Sequence, residues 1–230
     1  MFFRLNDDNT RFPDPGLAEP AGGLLAVGGD LSPERLLAAY RLGIFPWYEE
    51  GDPILWWSPA PRLILEPEKI HLSRRLARSI RQGRLTTALG QDCPKLIGLC
   101  RESRIMAGEG TWITPEMVEA YCELHRLGHV HSVECYEGEE LVGGLYGVAL
   151  GGIFCGESMC SLRPDVSKIA LIALARFLAR HDFSFIDCQM KTAHLARMGA
   201  VEISDEEFRR RLKQALEMPG LPGNWQGLTP

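Results

Sequence analysis

Apolar positions along the chain change period several times, and each change marks an element. From Ser32 the spacing is helical. Leu36, Leu37 and Tyr40 share a face, Ser32 can cap the first turn, Pro33 takes the first helical position and Gly43 stops the run. Helical spacing returns at 73–83, 92–102 and 115–127, the last opened by Thr114 and Pro115 and closed by Gly128. Alternation then takes over at 129–136, 141–150 and 152–159, with Glu137-Gly138-Glu139 as the turn between the first two runs. The broad apolar face of Ile169, Leu171, Ile172, Leu174, Phe177 and Leu178 predicts a helix over 167–181. Phe183 to Gln189 reads as a strand followed by a short helix. Ser204-Asp205-Glu206-Glu207 is a capping box opening a terminal helix to Glu217. This order predicts an α+β fold with helices packed on a mostly antiparallel sheet.

The first 65 residues have a different texture. They hold much of the proline and glycine, and Ile44-Phe45-Pro46-Trp47-Tyr48 and Trp56-Trp57-Ser58-Pro59 read as loops or edge strands that pack rigid rings. A small N-terminal domain is expected over 1–65 and a second over 66–230. With 230 residues, 45% hydrophobic and 24% charged, the composition excludes disorder, collagen and coiled coil as whole-chain descriptions. No apolar run approaches the roughly 18 residues of a membrane span. Met1 to Asp8 lack a basic head and apolar stretch, so no secretion signal is expected. Cys93, Cys100, Cys122, Cys135, Cys155, Cys160 and Cys188 are odd in number and form no C-x-x-C pair, which suggests reduced thiols in the cytoplasm and no zinc site. His129 and His131 have no cysteine or acidic cluster beside them, so no metal is expected there.

Net charge is −5, which by itself disfavours a nucleic-acid partner. The average hides a segregated patch. Lys69, Arg74, Arg75, Arg78, Arg81 and Arg84 lie in a stretch without Asp or Glu, so the rest of the chain carries −11. On a helix, Arg74, Arg78 and Arg81 share one face, opposite Leu72, Leu76 and Ile80. Such a row is either a solvated face or a phosphate-binding stripe.

Two strands carry further chemistry. Gly156-Glu157-Ser158-Met159-Cys160 lacks the closing glycine of a nucleophile elbow and does not run straight into a helix, so a serine hydrolase is not expected. In a regular strand Ile153, Cys155, Glu157 and Met159 share a face. Glu157 then needs a partner: a substrate cation, an internal Arg or water. Phe183, Phe185, Asp187 and Gln189 share a face under the same assumption, and Asp187 is either a site residue or a turn contact. No P-loop, G-x-G-x-x-G after a strand, H-E-x-x-H or EF-hand loop occurs. An enzyme of this sequence is therefore expected to use no cofactor and to take a substrate that arrives activated.

Several strings together resemble the leucyl/phenylalanyl-tRNA–protein transferase family nearly end to end. They are Gly23-Leu24-Leu25-Ala26-Val27-Gly28-Gly29-Asp30-Leu31-Ser32, Gly43-Ile44-Phe45-Pro46-Trp47, Ile54-Leu55-Trp56-Trp57-Ser58-Pro59, Gly110-Thr111-Trp112-Ile113-Thr114, Leu141-Val142-Gly143-Gly144-Leu145-Tyr146-Gly147, Phe154-Cys155-Gly156-Glu157-Ser158-Met159 and Ile186-Asp187-Cys188-Gln189. The resemblance implies a small α+β N-terminal domain and a C-terminal GNAT-like acyltransferase domain with a mixed, mostly antiparallel sheet. It implies transfer of Leu or Phe, and less readily Met, from aminoacyl-tRNA to proteins with N-terminal Arg or Lys, marking them for degradation. By the same resemblance Asp187, Gln189 and Glu157 form the catalytic group, with Glu157 on the acceptor's cation. Trp47 and Trp112 meet the terminal adenosine, and Arg74, Arg75 and Arg78 meet acceptor-stem phosphates. Leu145, Phe154, Met159, Leu171, Leu174 and Ile186 line the aminoacyl pocket. Leu145, Leu174 and Cys160 stand where relatives can carry Met, Phe and Phe. The loop Leu162-Arg163-Pro164-Asp165-Val166-Ser167 lacks the glycines of a pyrophosphate loop, which weighs against an acyl-CoA-dependent acyltransferase. A non-catalytic tRNA-binding module is the other alternative. The chain is expected to act as a cytoplasmic monomer away from membranes.

Overall fold

Two sheets organise the chain. The computed structural model describes residues 2–6, 9–108 and 110–230, so Met1, Asp7 and Asp8 of the N-terminal reading lie outside the described residues. The first sheet contains β1 (Phe3–Leu5), β2 (Leu24–Gly28), β3 (Phe45–Pro46) and β4 (Leu55–Trp57), in the order β1-β2-β4-β3. α1 (Pro33–Arg41) follows β2 and is capped as expected, Ser32 Oγ accepting from the Arg35 N–H. Of the two aromatic segments, Phe45–Pro46 is an edge strand, whereas Leu55–Trp57 is internal to the sheet. Trp56 tolerates that place because its indole N–H donates to the Gly28 carbonyl at 2.8 Å, leaving no orphaned polar atom.

The second sheet has seven strands. In chain order its region comprises β5 (Arg62–Leu65), α2 (Arg74–Arg81), β6 (Thr86–Leu89), α3 (Cys93–Met106), α4 (Pro115–Arg126), β7 (Val130–Glu137), β8 (Glu140–Leu150), β9 (Ile153–Ser161), α5 (Val166–Arg180), β10 (Phe185–Gln189), α6 (Ala193–Arg197), β11 (Val201–Ile203) and α7 (Asp205–Leu216). The strand order is β11-β5-β10-β9-β8-β7-β6. All neighbours are antiparallel except β9 and β10, which run parallel. The mixed, mostly antiparallel α+β expectation therefore holds. In this sheet, β5, β6 and β11 are the strands that periodicity did not predict. They are three or four residues long, and β5 is buried on both faces, which erases alternation.

α5 packs on one face of this sheet, against Val133, Leu145, Phe154 and Ile186. α3, α4 and α7 lie on the other, with Tyr146, Val148, Ile153 and Cys155. The capping box of α7 forms only by half. Ser204 Oγ accepts from the Glu207 N–H, but the Glu207 carboxylate pairs with Arg210 and Arg211. All seven cysteines are free thiols. Among the described residues no group of His, Cys, Asp and Glu could hold a metal, and no helix is long and apolar enough to cross a membrane.

Candidate active site at a split between two parallel strands

The parallel ladder between β9 and β10 is short. Phe185, Ile186 and Asp187 pair with Ile153, Phe154 and Cys155, and pairing then stops, while β9 continues to Ser161 bonded to β8 alone. Beyond Cys155 the sheet is therefore open on one side of β9. A cavity of about 390 Å³ occupies this opening, and its walls come from both faces of the sheet. On the α5 side stand Leu145, Phe154, Met159, Leu171, Leu174, Ile186 and Leu195. On the α3 and α4 side stand Arg104, Trp112, Tyr146 and Ser158, with Phe45, Pro46 and Trp47 from the first sheet. Gly156, Glu157, Cys188 and Gln189 form the split itself.

Two backbone irregularities place the polar groups. β9 bulges opposite Tyr146 and Gly147, which pair with Ser158 and Gly156 and leave Glu157 as the extra residue. The bulge overturns one expectation. Met159 does not share a face with Ile153, Cys155 and Glu157; it packs on the α5 side, into the apolar part of the cavity. β10 shifts register between Asp187 and Gln189, where Gln189 adopts a left-handed φ of 60°. A non-glycine residue there costs about 1–2 kcal/mol. The Gln189 N–H donating to Asp187 Oδ1 at 2.9 Å holds the turn. The regular face expected for this strand fails at its other end as well, because Phe183 packs in the α5-side core and Phe185 in the opposite one.

Asp187 does not line the cavity. It is 1% exposed and bound in a fork by Arg62, Nε and Nη2 donating at 2.8 and 2.6 Å. The Arg62 guanidinium is 2% exposed and lies 5.0 Å from the Phe45 ring centre and 4.6 Å from that of Phe208. Burial pulls its pKa down, but the Asp187 charge outweighs this and holds it above the ordinary value. Asp187 is thus part ion pair and part turn contact, and it reaches the cavity only through Gln189.

Glu157 is the carboxylate in the split. Its Oε2 accepts from the Tyr121 hydroxyl at 3.0 Å, and its Oε1 from Gln189 Nε2 at 3.1 Å. The Tyr40 hydroxyl bonds in turn to that of Tyr121. Since the Tyr121 proton goes to Glu157, Tyr40 is the donor of that pair. Burial pushes the Glu157 pKa up to about 7; the two tyrosines pull against this, and the nearby Asp187 charge adds to it. With one amide N–H engaged by Glu157, Gln189 retains its carbonyl oxygen as a hydrogen-bond acceptor at the cavity wall. The Tyr146 and Ser158 hydroxyls, paired across β8 and β9, are buried without a hydrogen-bond partner.

All eight residues assigned to substrate, and both Glu157 and Gln189, border this one cavity. Trp47 is 38% exposed at its mouth, braced by Trp57, whose indole N–H donates to the Trp47 carbonyl at 2.6 Å. Arg74, Arg75 and Arg78 do not enter it. They stand exposed on α2, and Arg75 pairs with Asp165 at 2.8 Å. Tyr40, Tyr121 and Arg62 were not legible as site residues. Tyr40 read as part of an apolar helical face, and its only warning was a hydroxyl that burial obliges to find a partner.

The profile of the leucyl/phenylalanyl-tRNA protein transferase family matches residues 64–213, and that of the N-terminal domain of the same family matches 29–60. A relative from Anaeromyxobacter sp. (strain Fw109-5), named leucyl/phenylalanyl-tRNA–protein transferase, is 58% identical over 214 residues, 93% of this chain and 91% of its own. One of the same name from Solidesulfovibrio magneticus is 56% identical over 95% of this chain and 88% of its own. Among solved structures, a GCN5-related N-acetyltransferase from Kribbella flavida is 12% identical with a TM-score of 0.36, over 78% of this chain and 63% of that one.

Proposed function

The chain belongs to the leucyl/phenylalanyl-tRNA–protein transferase family, and we propose that it transfers leucine or phenylalanine, and less readily methionine, from tRNA to proteins beginning with Arg or Lys. The observation that carries this reading is the split between β9 and β10, which joins an apolar chamber to a carboxylate on the other face of the sheet. The donor's side chain enters the apolar chamber, the acceptor's cation meets Glu157, and the ester carbonyl and the α-amine meet between them.

The reaction needs no external energy, because the aminoacyl ester is already activated. The amine nitrogen bonds to the carbonyl carbon, the carbon–oxygen bond to the ribose breaks, and the amine's proton leaves with the ribose oxygen. Gln189 cannot take up a proton at neutral pH, so its carbonyl oxygen orients the amine as a hydrogen-bond acceptor. An α-amine with pKa near 7.7–8.0 is already partly neutral at pH 7, so most of the acceleration comes from holding two reactants together. Asp187 is a positioning residue: it fixes the left-handed turn that presents Gln189. Glu157 ionises as the acceptor's cation binds. Trp47 and Trp112 supply ring faces for the terminal adenine, worth about 1–3 kcal/mol per stacked base. Arg74, Arg75 and Arg78 hold acceptor-stem phosphates without reading sequence. The enzyme acts as a cytoplasmic monomer without a cofactor, and the residue it adds marks the acceptor for degradation. The domains divide at residues 65 and 66.

Leucyl-tRNA mixed with peptides beginning in Arg, Lys or Ala, without ATP, tests this reading. Leucine on the Arg and Lys peptides alone supports it. Intact tRNA binding with no transfer, or acylation from an acyl-CoA instead, overturns it.

A further inference from the structure

The segment after α7 folds back over the second sheet, and Trp225 anchors it with no exposed surface. Its ring stacks on His131 with centroids 3.8 Å apart and planes 7° from parallel, and meets Phe177 at 5.0 Å and Phe183 at 5.8 Å. The indole N–H donates to the Leu221 carbonyl at 3.0 Å, and Arg180 donates to the Thr229 carbonyl at 2.8 Å, so the segment is pinned on both sides of the ring. The Trp225 ring also meets Phe154, at 6.1 Å. Of the aromatic groups around it, only Phe154 also lines the cavity. The Phe154 ring lies so close over Gly147 that a Cβ there would fall 2.5 Å from Cε1. Phe154 therefore has no room toward β8, and its ring is bounded by Trp225, which does not itself line the cavity.

We propose that Trp225 is a positioning residue for donor selection: by holding Phe154, it sets the depth of the chamber that receives the aminoacyl side chain. The inference rests on the reading that this chamber takes that side chain. Close-packed interiors pass a change of volume to their neighbours. A smaller residue at 225 lets Phe154 retreat and deepens the chamber, and an apolar pocket distinguishes ligands differing by one methylene by roughly tenfold or more. Phenylalanine, the larger donor, then gains relative to leucine.

Leucyl-tRNA and phenylalanyl-tRNA competing for one Arg-initiated peptide test this in the full chain, using wild type, Trp225→Leu, Trp225→Phe and the chamber variant Leu174→Ala. Trp225→Leu is expected to raise the Phe-to-Leu ratio of kcat/KM by roughly tenfold. Trp225→Phe, which keeps a buried ring, raises it less, and KM for the acceptor peptide stays unchanged in both. A merely structural role lowers the rate with both donors equally and leaves the ratio fixed. If Leu174→Ala shifts the ratio and neither Trp225 variant does, the role of Trp225 is wrong and the chamber reading stands. If Leu174→Ala leaves the ratio unchanged, the chamber reading fails and takes this inference with it. Trp225→Phe decides the matter should Trp225→Leu not fold.

Discussion

Binding of the acceptor's cation should expel a proton from Glu157. In the empty site burial raises this carboxyl from its ordinary 4.5 to about 7. At about 1.4 kcal/mol per pH unit, ionising it there costs at most about 3 kcal/mol, because solvent still reaches part of the side chain. The sign follows from the raised value: this group favours the folded, empty protein most below its ordinary pKa, and the contribution is lost as pH rises through about 7. A guanidinium beside Glu157 returns the pKa toward the ordinary value. At pH 6.5, below the raised value, most of the free sites hold the proton and almost none of the filled ones do, so binding should release the larger part of one proton. The clean ligand is a peptide whose first residue is arginine without its α-amine, since that amine titrates nearby. Calorimetry in buffers of different ionisation enthalpy counts the protons. Glu157→Gln should release almost none, and should bind roughly 10- to 150-fold more weakly, the loss of a hydrogen bond to a charged group. Equal proton release from both proteins, or none from either, would refute the assignment of Glu157 to the cation.

Asp187→Asn leaves Arg62 buried without its counter-charge, so urea unfolding should show a loss of about 3–5 kcal/mol, and the single-turnover rate should fall as the Gln189 turn loosens. Replacing Arg74, Arg75 and Arg78 with alanine should flatten the logarithmic salt dependence of tRNA binding by about 0.7–0.9 for each phosphate no longer neutralised, with the rate at saturating tRNA unchanged. Burial against Trp225 depresses His131 to about 3. Its contribution to stability is present above the ordinary 6.5 and lost as pH falls through 3, so His131→Phe should flatten the decline of Tm in that window, measured by thermal unfolding.

Long elements were legible because one face of each is apolar and its ends are chemically marked. Ser32, Thr114 and Ser204 cap the helices expected of them, and the β7–β8–β9 meander follows from alternation. β5 was hidden because burial on both faces removes the period that betrays a strand. The site was harder to read, since its defining features are departures from regularity. A period of two assigns Glu157 and Met159 to one face, and a single inserted residue sends them to opposite sides of the sheet. The Arg62–Asp187 fork joins residues 125 apart, with no local pattern to announce it. Asp187 was legible from its place at a strand end and within a family motif, but neither could show that Arg62 holds it behind the cavity wall, with Gln189 in front.

The most direct test of the split-sheet site is a crystal structure with two ligands together, a leucyl-adenosine analogue joined by a stable amide and an Arg-initiated peptide. The leucine side chain is predicted beside Phe154 and Leu174, and the guanidinium beside Glu157 on the other face of the sheet. The acyl carbon and the peptide nitrogen should meet between Gly156 and Gln189. Both ligands on one face, or the peptide's cation away from Glu157, would contradict this account.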